Sequence, residues 1–358
     1  MTVVNDPGRK RSHPASNGSS AYLSRWLTAA VRHSADLTAL ADDGPHRWTD
    51  RWRAEARFHL AAMMNAIEQA IVSTVADSPT ATLLGALGPG YCRHAIEREM
   101  GLLSPDFIDH LRQRAAIATL LRQADDARWR RVTPALTQQM RDTPHEEALT
   151  RLTSAEQGWH PPMLLDAAMV PDLPAEPFHE LAWSVAALLV QGCARQPGAD
   201  EAVATKSIVQ ATERMIARHD EADGVTGLVR RFARALPPET RVSLAPAALT
   251  DARLLLFAAL AESAIGLPLD VVIDALLDPD DAPRHAIFRL MRIDDATVFR
   301  AGELLGWLTG AGAEDDEALA RFVESYRRVD QAQAAHWLEA MLRPSVLAGK
   351  LALMAGDP

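Results

Sequence analysis

The sequence has few of the residues that favour β-strands. Aromatic residues account for 5% of its 358 positions, and only three of them are tyrosines. Strands favour β-branched and aromatic side chains, which pack well on a pleated surface. Ala, Leu, Arg and Glu are abundant instead, and these side chains lose little rotamer freedom on entering a helix. The composition therefore predicts an all-α protein.

Cysteine is also scarce, with Cys92 and Cys193 as its two occurrences. The chain contains no CxxC pair, which excludes a zinc site built from such pairs. Both residues lie in apolar helical segments, where a free cysteine behaves as a small buried hydrophobic residue. We therefore expect a reducing compartment. Arg93 and His94 follow Cys92, so a cysteine nucleophile stays open as an alternative at this position.

No apolar run is long enough to cross a membrane. A spanning helix needs about 20 apolar residues, whereas the longest run, Leu254–Ala261, is closed by Arg253 and Glu262. The first twenty residues lack the apolar segment of a signal peptide. These two features predict a soluble, cytoplasmic protein.

The chain has fewer basic than acidic residues, 37 against 47. The formal net charge is −10, and the lysines number only three, Lys10, Lys206 and Lys350. A negative overall field repels nucleic acid and anionic membrane surfaces. We therefore expect neither a nucleic acid nor a membrane as the partner.

The distribution of proline divides the chain. Residues 1–20 are rich in Pro, Gly, Ser and Asn, which predicts a disordered tail. The segment "WHPPMLLDAAMVPDLPAEP" at 159–177 predicts a proline-rich linker or seam. It separates an N-terminal helical region, 21–158, from a C-terminal HEAT-like helical region, 178–358.

Residues 251–278 predict a buried helical hairpin. The first half is apolar on nearly every side, Gly266 is a helix stop, and Pro268 a restart. Two helices joined by so short a turn form an αα-hairpin, and neither can bury its apolar face alone. Stacked hairpins are the building principle of solenoids. We therefore predict an irregular HEAT-like α-solenoid or a helical bundle of stacked αα-hairpins.

Local signals also predict where other helices begin. Ser104 followed by Pro105 is typical of an N-cap and a first helical residue. Thr143 with Glu146 matches a capping box, and Ser154–Gln157 matches a second. The apolar spacing from Trp52 onward predicts a long helix.

Residues 242–305 carry a family resemblance. The run "VSLAPAALTDARLLLFAALAESAIGLPLDVVIDALLDPDDAPRHAIFRLMRIDDATVFRAGELL" resembles the core of the bacterial family catalogued as domain of unknown function 2336. "DLPAEPFHELAWSVAALL" at 172–189 resembles a segment that precedes that core. The resemblance implies an all-helical, HEAT-like fold. It implies no activity, cofactor or site residue.

Several pairs of residues have the spacing of metal ligands on a helix. They are His94 with Glu97, Glu55 with His59, Glu176 with His179, and the adjacent pair His219-Asp220. Di-iron bundles need two ExxH elements and two more carboxylates, and the chain has one ExxH, Glu176 to His179, with Pro177 inside it. Metal-dependent phosphohydrolases need a further His upstream and a further Asp downstream of His219-Asp220. His179 and Asp274 could serve, but a chain with 12 histidines offers such pairs by chance. The plain structural reading of each pair is a solvated helix face or a histidine packed in the core. No metal and no cofactor are therefore expected.

Three clusters combine arginine with an aromatic residue, the combination that can anchor a protein partner. They are "ARWRRV" at 127–132, "VRRFARAL" at 229–236 and "YRRV" at 326–329. The candidate partner-binding residues are Arg128, Trp129, Arg130, Arg131, Arg230, Arg231 and Phe232.

Two functions follow from these patterns. The leading hypothesis is a non-enzymatic adaptor or regulatory protein that binds another protein, because stacked helical hairpins offer extended surfaces. The alternative is a helical enzyme, or a binder of a metal or small molecule, with its site between the two halves. Its raw material would be His59, His94, Glu97, Asp172, His179 and His219.

Overall fold

The structure, a computed structural model, describes residues 40, 49–76, 78–124, 134–159, 169–278, 280–309 and 316–342. Within these ranges the chain forms sixteen α-helices and two short 3-10 helices, and no strand. The prediction of an all-α protein is confirmed.

Eight α-helices precede residue 217. In chain order they are α1 (Asp50–Thr74), α2 (Thr80–Leu87), α3 (Tyr91–Ile96), α4 (Pro105–Ala124), α5 (Ala135–Met140), α6 (Glu146–Gln157), α7 (Ala175–Ala194) and α8 (Glu201–Ile216).

Eight more α-helices follow. They are α9 (Val225–Ala235), α10 (Pro238–Thr250), α11 (Leu254–Ile265), α12 (Leu269–Leu277), α13 (Asp281–Leu290), α14 (Asp295–Thr309), α15 (Asp316–Arg328) and α16 (Gln331–Met341). The 3-10 helices are Met100–Leu102 and Glu221–Asp223.

Helix α4 lies at the centre of the apolar core. It packs against α1 and α7, and also against α12 and α14, which are far away in the sequence. Its inward positions carry small or apolar side chains such as Leu111, Ala115 and Leu120, all fully buried. Helices on both sides of the proline-rich segment therefore share one core, and the division at 159–177 stays a prediction.

The hairpin at 251–278 is confirmed. Every side chain from Leu254 to Ala261 is at most 1% exposed, so the first two turns of α11 are buried on all sides. Gly266 ends the helix with φ at 73°, a left-handed conformation that glycine adopts without steric cost. Helix α12 then starts directly after Pro268. Asp270 and Asp274 lie on its exposed side.

Of the predicted helix starts, one is confirmed and two are wrong. Ser104 Oγ accepts the backbone N–H of Phe107 at 3.2 Å, and Pro105 is the first residue of α4. Thr143 caps no helix, because its hydroxyl donates to the carbonyl of Met140 at 2.7 Å and α6 begins only at Glu146. The segment Ser154–Gln157 lies inside α6.

The long helix predicted from Trp52 onward is α1, capped by the Thr49 side chain. None of the described helices is both long and apolar enough to span a membrane.

Candidate functional site

Carboxylates from outside the helix cap the N-termini of several helices. The first backbone N–H groups of a helix have no partner within it, and the helix dipole makes this end positive. An acidic side chain satisfies both demands. The pairs are Glu68 with the N–H groups of Tyr91 and Cys92 on α3, Glu180 with Ser104 before α4, Asp251 with Ala135 and Leu136 on α5, Glu221 with Ala175 on α7, Asp172 with Val225 on α9, and Glu262 with Leu269 on α12.

Arginines satisfy carbonyls at helix C-termini in the same way. Arg241 donates to the carbonyls of Arg234 and Leu236 at the end of α9, at 3.1 and 2.9 Å, and to that of Ser263 in α11 at 3.2 Å. Arg289 donates to the carbonyl of Tyr326 near the end of α15 at 3.0 Å. Many charged residues are therefore engaged in joining helices to one another.

Asp172 binds partners through both its carboxylate and its backbone carbonyl. Its Oδ2 accepts the indole N–H of Trp159 at 2.6 Å and the backbone N–H of Val225 at 3.0 Å. Its backbone carbonyl accepts a hydrogen bond from Arg114 Nη1. A Cβ atom on Gly224 would lie 2.0 Å from Asp172 Oδ1, so only glycine fits beside this carboxylate.

Arg114, on α4, is a buried partner of Asp172. Its side chain is only 1% exposed, and its guanidinium carbon lies 4.4 Å from the centre of the Trp159 ring. Nη2 lies 3.2 Å from the sulfur of Met169. Burial lowers the pKa of Arg114 to about 10, and the charge of Asp172 opposes that shift. Arg114 therefore stays positively charged near neutral pH.

The ion pair of Glu55 with Arg122, and the His59 imidazole next to it, lie close to Arg114. Glu55 Oε1 is 3.1 Å from His59 Nε2 and 2.8 Å from Arg122 Nη2. Burial raises the pKa of Glu55, but its bonds to His59 and Arg122 outweigh that effect and hold the pKa below its usual value. Burial lowers the pKa of His59, and the charge of Arg114 adds to this, against the opposing effect of Glu55. Glu55 is therefore an ionised carboxylate beside the neutral imidazole of His59.

His110 on α4 is the next group. Burial, and then the charge of Arg114, lower the pKa of His110 to about 4, against the effect of Asp172. We call Glu55, His59, His110, Arg114, Trp159 and Asp172 the seam cluster, because Trp159 and Asp172 come from the predicted proline-rich seam.

The seam cluster contains two of the six residues that the alternative function required, His59 and Asp172. His219 lies nearby, with Nε2 2.9 Å from the carbonyl of Leu173 and its ring stacked on Phe178 at 3.8 Å. Its neighbour Asp220 accepts the N–H of Ala222 and so caps a 3-10 helix. Both side chains of the His219-Asp220 pair therefore make contacts within the fold.

The other three residues lie elsewhere. His94 is exposed near the end of α3, and Glu97 is exposed just beyond it. His179 Nε2 accepts the indole N–H of Trp183 on the outer face of α7 at 3.0 Å. Within the described ranges, no three side chains of His, Cys, Asp or Glu converge so as to hold a metal ion.

Cys92 is buried, and its Sγ lies 3.7 Å from the carbonyl of Val185. Burial, and then the charge of Glu68, raise the pKa of the Cys92 thiol. A thiol held in its neutral form is a poor nucleophile. The arrangement therefore works against the cysteine alternative.

The predicted partner-binding residues fall into two groups. Arg128, Trp129, Arg130 and Arg131 lie outside the described residues. On α9, Arg230 holds Glu262 with two hydrogen bonds of 2.9 and 3.0 Å, and Arg231 is exposed. Phe232 is only 4% exposed and packs in the core with Val229. Its inclusion as a surface anchor was wrong, because it lies on the buried side of an amphipathic helix.

Sequence reasoning missed His110, Arg114, Trp159 and Arg234. Arg114 follows Leu111 by three residues on the apolar stripe of α4, which was a signal of a buried charge. Arg234, three residues after Arg231, is exposed on the same side of α9.

Comparison with protein-family models, with curated proteins and with solved structures found no match to this chain.

Proposed function

We propose that the chain is a non-enzymatic helical protein that binds another protein in the cytoplasm and acts there as an adaptor or regulator. One observation carries the proposal: the acidic side chains best placed for chemistry are engaged in holding helices together. Asp172, Glu68 and Asp251 cap helices, and Glu55 is held by Arg122 and His59.

The architecture supports an extended binding surface. Short connections join α11 to α12 and α5 to α6, and the two helices of each pair pack against each other and against a further helix. We propose that these hairpins are stacked in the HEAT-like manner that the resemblance to domain of unknown function 2336 implies. The contacts of α4 with α12 and α14 add a central helix to that arrangement.

The exposed side of α9 is the surface that we propose for the partner. Arg231 and Arg234 lie one turn apart there, and within the described ranges neither guanidinium has an ion-pair partner. Two unpaired guanidinium groups favour a partner that presents carboxylates, because arginine binds a carboxylate with two parallel hydrogen bonds.

Charge reversal on α9 tests the proposal. The double variant Arg231→Glu, Arg234→Glu is compared with Arg214→Glu, Arg218→Glu, which makes the same change of charge at exposed positions around the end of α8. Proteins retained from a lysate of the native host are quantified for wild type and both variants. We expect the α9 variant to lose a reproducible partner that the control retains. Identical retention by all three proteins would contradict the proposal.

A second candidate, a small-molecule binder, rests on the seam cluster. Arg114 Nε and His110 Nε2 are buried, and neither has a hydrogen-bond acceptor within the described residues. Such donors are costly unless something accepts from them. Native mass spectrometry and elemental analysis of the purified protein test this candidate. A stoichiometric bound mass that is lost in His110→Leu supports it, and the unliganded chain mass alone excludes it.

A further inference from the structure

The face of α9 that carries Arg231 and Arg234 begins at an acidic 3-10 helix. Gly227, Arg231 and Arg234 follow the i, i+4, i+7 spacing of a single helix face. The 3-10 helix Glu221–Asp223 packs on α9. A Cβ atom on Gly227 would lie only 2.4 Å from the backbone oxygen of Ala222, within this 3-10 helix. The acidic segment therefore covers the N-terminal half of the face, and the two arginines occupy its C-terminal half.

The outside of this 3-10 helix carries three exposed carboxylates, those of Asp220, Glu221 and Asp223. Asp220 accepts the N–H of Ala222, and Glu221 accepts that of Ala175. These are hydrogen bonds to neutral groups, so the negative charges stay uncompensated. Among the residues that the structure describes, no arginine, lysine or histidine forms an ion pair with any of the three. The acidic half of the face therefore lacks a counter-charge, as the basic half does.

The charges of opposite sign are displaced from each other along the helix. Gly227, under the 3-10 helix, and Arg234 are seven residues apart, which corresponds to about 10 Å along the helix axis. Arg230, which lies off this face, is held by Glu262 with hydrogen bonds of 2.9 and 3.0 Å. Such a face is complementary to itself, because a copy turned end for end places each acidic half over the basic half of the other.

We propose that this face of α9 is the interface of a homodimer, in which a second copy of the chain packs antiparallel on α9 about a two-fold axis. The proposal rests on the proposed function, because it identifies the carboxylate-bearing partner of Arg231 and Arg234 as that second copy. Asp220 and Asp223 of each copy face the two arginines of the other, so every contact occurs twice. A parallel arrangement would instead place arginines against arginines and carboxylates against carboxylates.

The overall charge of the chain favours this orientation. With a formal net charge of −10, two copies repel one another wherever acidic surfaces meet. Complementary charges select the partner and the register of an interface more than they set its affinity. Leu228, half-buried, and Ala235, exposed, lie beside Arg231 on the same face and add apolar contact. We therefore expect a dimer of modest affinity, in reversible equilibrium with the monomer.

Sedimentation equilibrium of the whole chain over a range of protein concentrations tests the homodimer. We expect the wild-type mass to rise with concentration from that of one chain to that of two. The variant Arg231→Glu, Arg234→Glu places negative charge against the acidic half of its copy. The variant Asp220→Arg, Asp223→Arg places positive charge against the basic half. Either change should weaken the dimer about 100-fold or more, because like charges then face each other in both halves of the interface.

A mixture of the two variants gives the most specific result. In a mixed pair, the introduced glutamates of one protein face the introduced arginines of the other. The second half of the interface keeps its native carboxylates and arginines. We therefore expect an equimolar mixture to form a dimer with one chain of each kind and an affinity close to that of wild type, although neither variant pairs alone. Native mass spectrometry identifies the mixed pair, since the two variants differ in mass.

Two further double variants serve as controls. Arg98→Glu, Arg195→Glu makes the same change of charge at exposed positions after α3 and α7, and should leave the dimer at its wild-type strength. Asp220→Asn, Asp223→Asn removes the acidic charge without reversing it, and asparagine can still cap the 3-10 helix. This variant should weaken the dimer less than the reversal does. Circular dichroism shows whether each variant is folded, and if the acidic reversal unfolds the chain, wild type and the other variants still decide.

A wild-type mass of one chain at every concentration overturns the homodimer, as does a dimer that survives in Arg231→Glu, Arg234→Glu or a mixture whose two variants do not pair. Retention of proteins from a lysate separates this failure from that of the proposed function. If wild type stays a monomer while the α9 arginines retain a different protein, the homodimer alone fails. If wild type stays a monomer and charge reversal on α9 leaves retention unchanged, both fail. A homodimer that depends on these arginines and retains no different protein supports the homodimer and overturns the adaptor role.

Discussion

Trp159 donates its indole N–H to the carboxylate of Asp172, with 2.6 Å between Trp159 Nε1 and Asp172 Oδ2. The two residues are 13 positions apart, and they lie towards opposite ends of the predicted proline-rich seam. The same oxygen caps α9 through the N–H of Val225. One carboxylate therefore binds Trp159 and caps the helix that carries the proposed binding surface.

Replacement of Asp172 by Ala should be strongly destabilising. It leaves the buried indole N–H of Trp159 and the N–H of Val225 without an acceptor, and an unsatisfied buried donor costs about 1–3 kcal/mol. We expect a loss of about 2–4 kcal/mol in the free energy of unfolding, measured by urea denaturation. Asp220→Ala, which removes an exposed cap, should cost only about 1 kcal/mol. Equal effects of the two variants would contradict the role of Asp172.

Arg114→Met tests the buried charge beside Asp172. Methionine keeps much of the side-chain length but cannot donate to the Asp172 carbonyl, so we expect a loss of about 1.5–3 kcal/mol in the free energy of unfolding. Arg112→Met, two positions earlier, breaks a more exposed ion pair with Asp274 and should cost about 1 kcal/mol or less. The comparison uses chemical denaturation at neutral pH. An Arg114→Met protein as stable as wild type would show that this guanidinium contributes no net stability.

Two glycine substitutions should have opposite effects on the stability of the protein. Gly224→Ala places a Cβ atom against Asp172 Oδ1 and should lower the melting temperature. Gly306→Ala lies within α14, where no atom of the described residues comes within 4 Å of the added carbon, and should stabilise the protein by about 0.5–1 kcal/mol. Thermal unfolding of both variants gives the sign directly. Stabilisation by Gly224→Ala would mean that the Gly224–Asp172 contact is not tight.

His285 should make the fold sensitive to acid. Its ring is fully buried between Phe322 and Tyr326, at centroid distances of 4.4 and 5.9 Å. Burial, and then the charge of Arg284, lower the pKa of His285 to about 4. Because the unfolded chain binds this proton at higher pH, stability is present above about pH 6.5 and is lost as the pH falls towards about 4.

The variant His285→Leu isolates this effect. Between pH ~7 and pH ~5 the wild-type protein should lose about 2 kcal/mol through this residue, and the variant should lose correspondingly less. His336→Leu, at an exposed position of α16, is the matched control and should follow the wild-type pH profile. Urea unfolding at the two pH values provides the measurement. Parallel profiles for wild type and His285→Leu would contradict the buried, neutral state of this imidazole.

Features that depend on local sequence were predictable. The α11–α12 hairpin was expected down to Gly266, because a left-handed glycine and a following proline are signals that neighbours in sequence provide. The burial of Phe232 follows from the same periodicity, since Val225, Val229 and Phe232 form one apolar stripe. The error came from treating adjacent residues as one patch, although adjacent residues on a helix point in different directions.

Features that depend on distant partners were not predictable. Glu180 binds Ser104 from 76 positions away, and nothing near either residue in the sequence indicates the other. The Thr143 capping box failed for a related reason: its hydroxyl closes the turn after α5, and α6 starts after that turn. In the sequence, the signal of the seam cluster was Arg114, a charged residue on the apolar stripe of α4.

The central claim is that the exposed side of α9 binds a protein partner. Hydrogen exchange of the chain with and without the retained partner tests it most directly. We predict slower exchange in α9, around Arg231 and Arg234, with α1 and α4 unchanged, and no such effect in the Arg231→Glu, Arg234→Glu variant. Unchanged exchange in α9 on addition of the partner, or protection confined to the seam cluster, would contradict the claim.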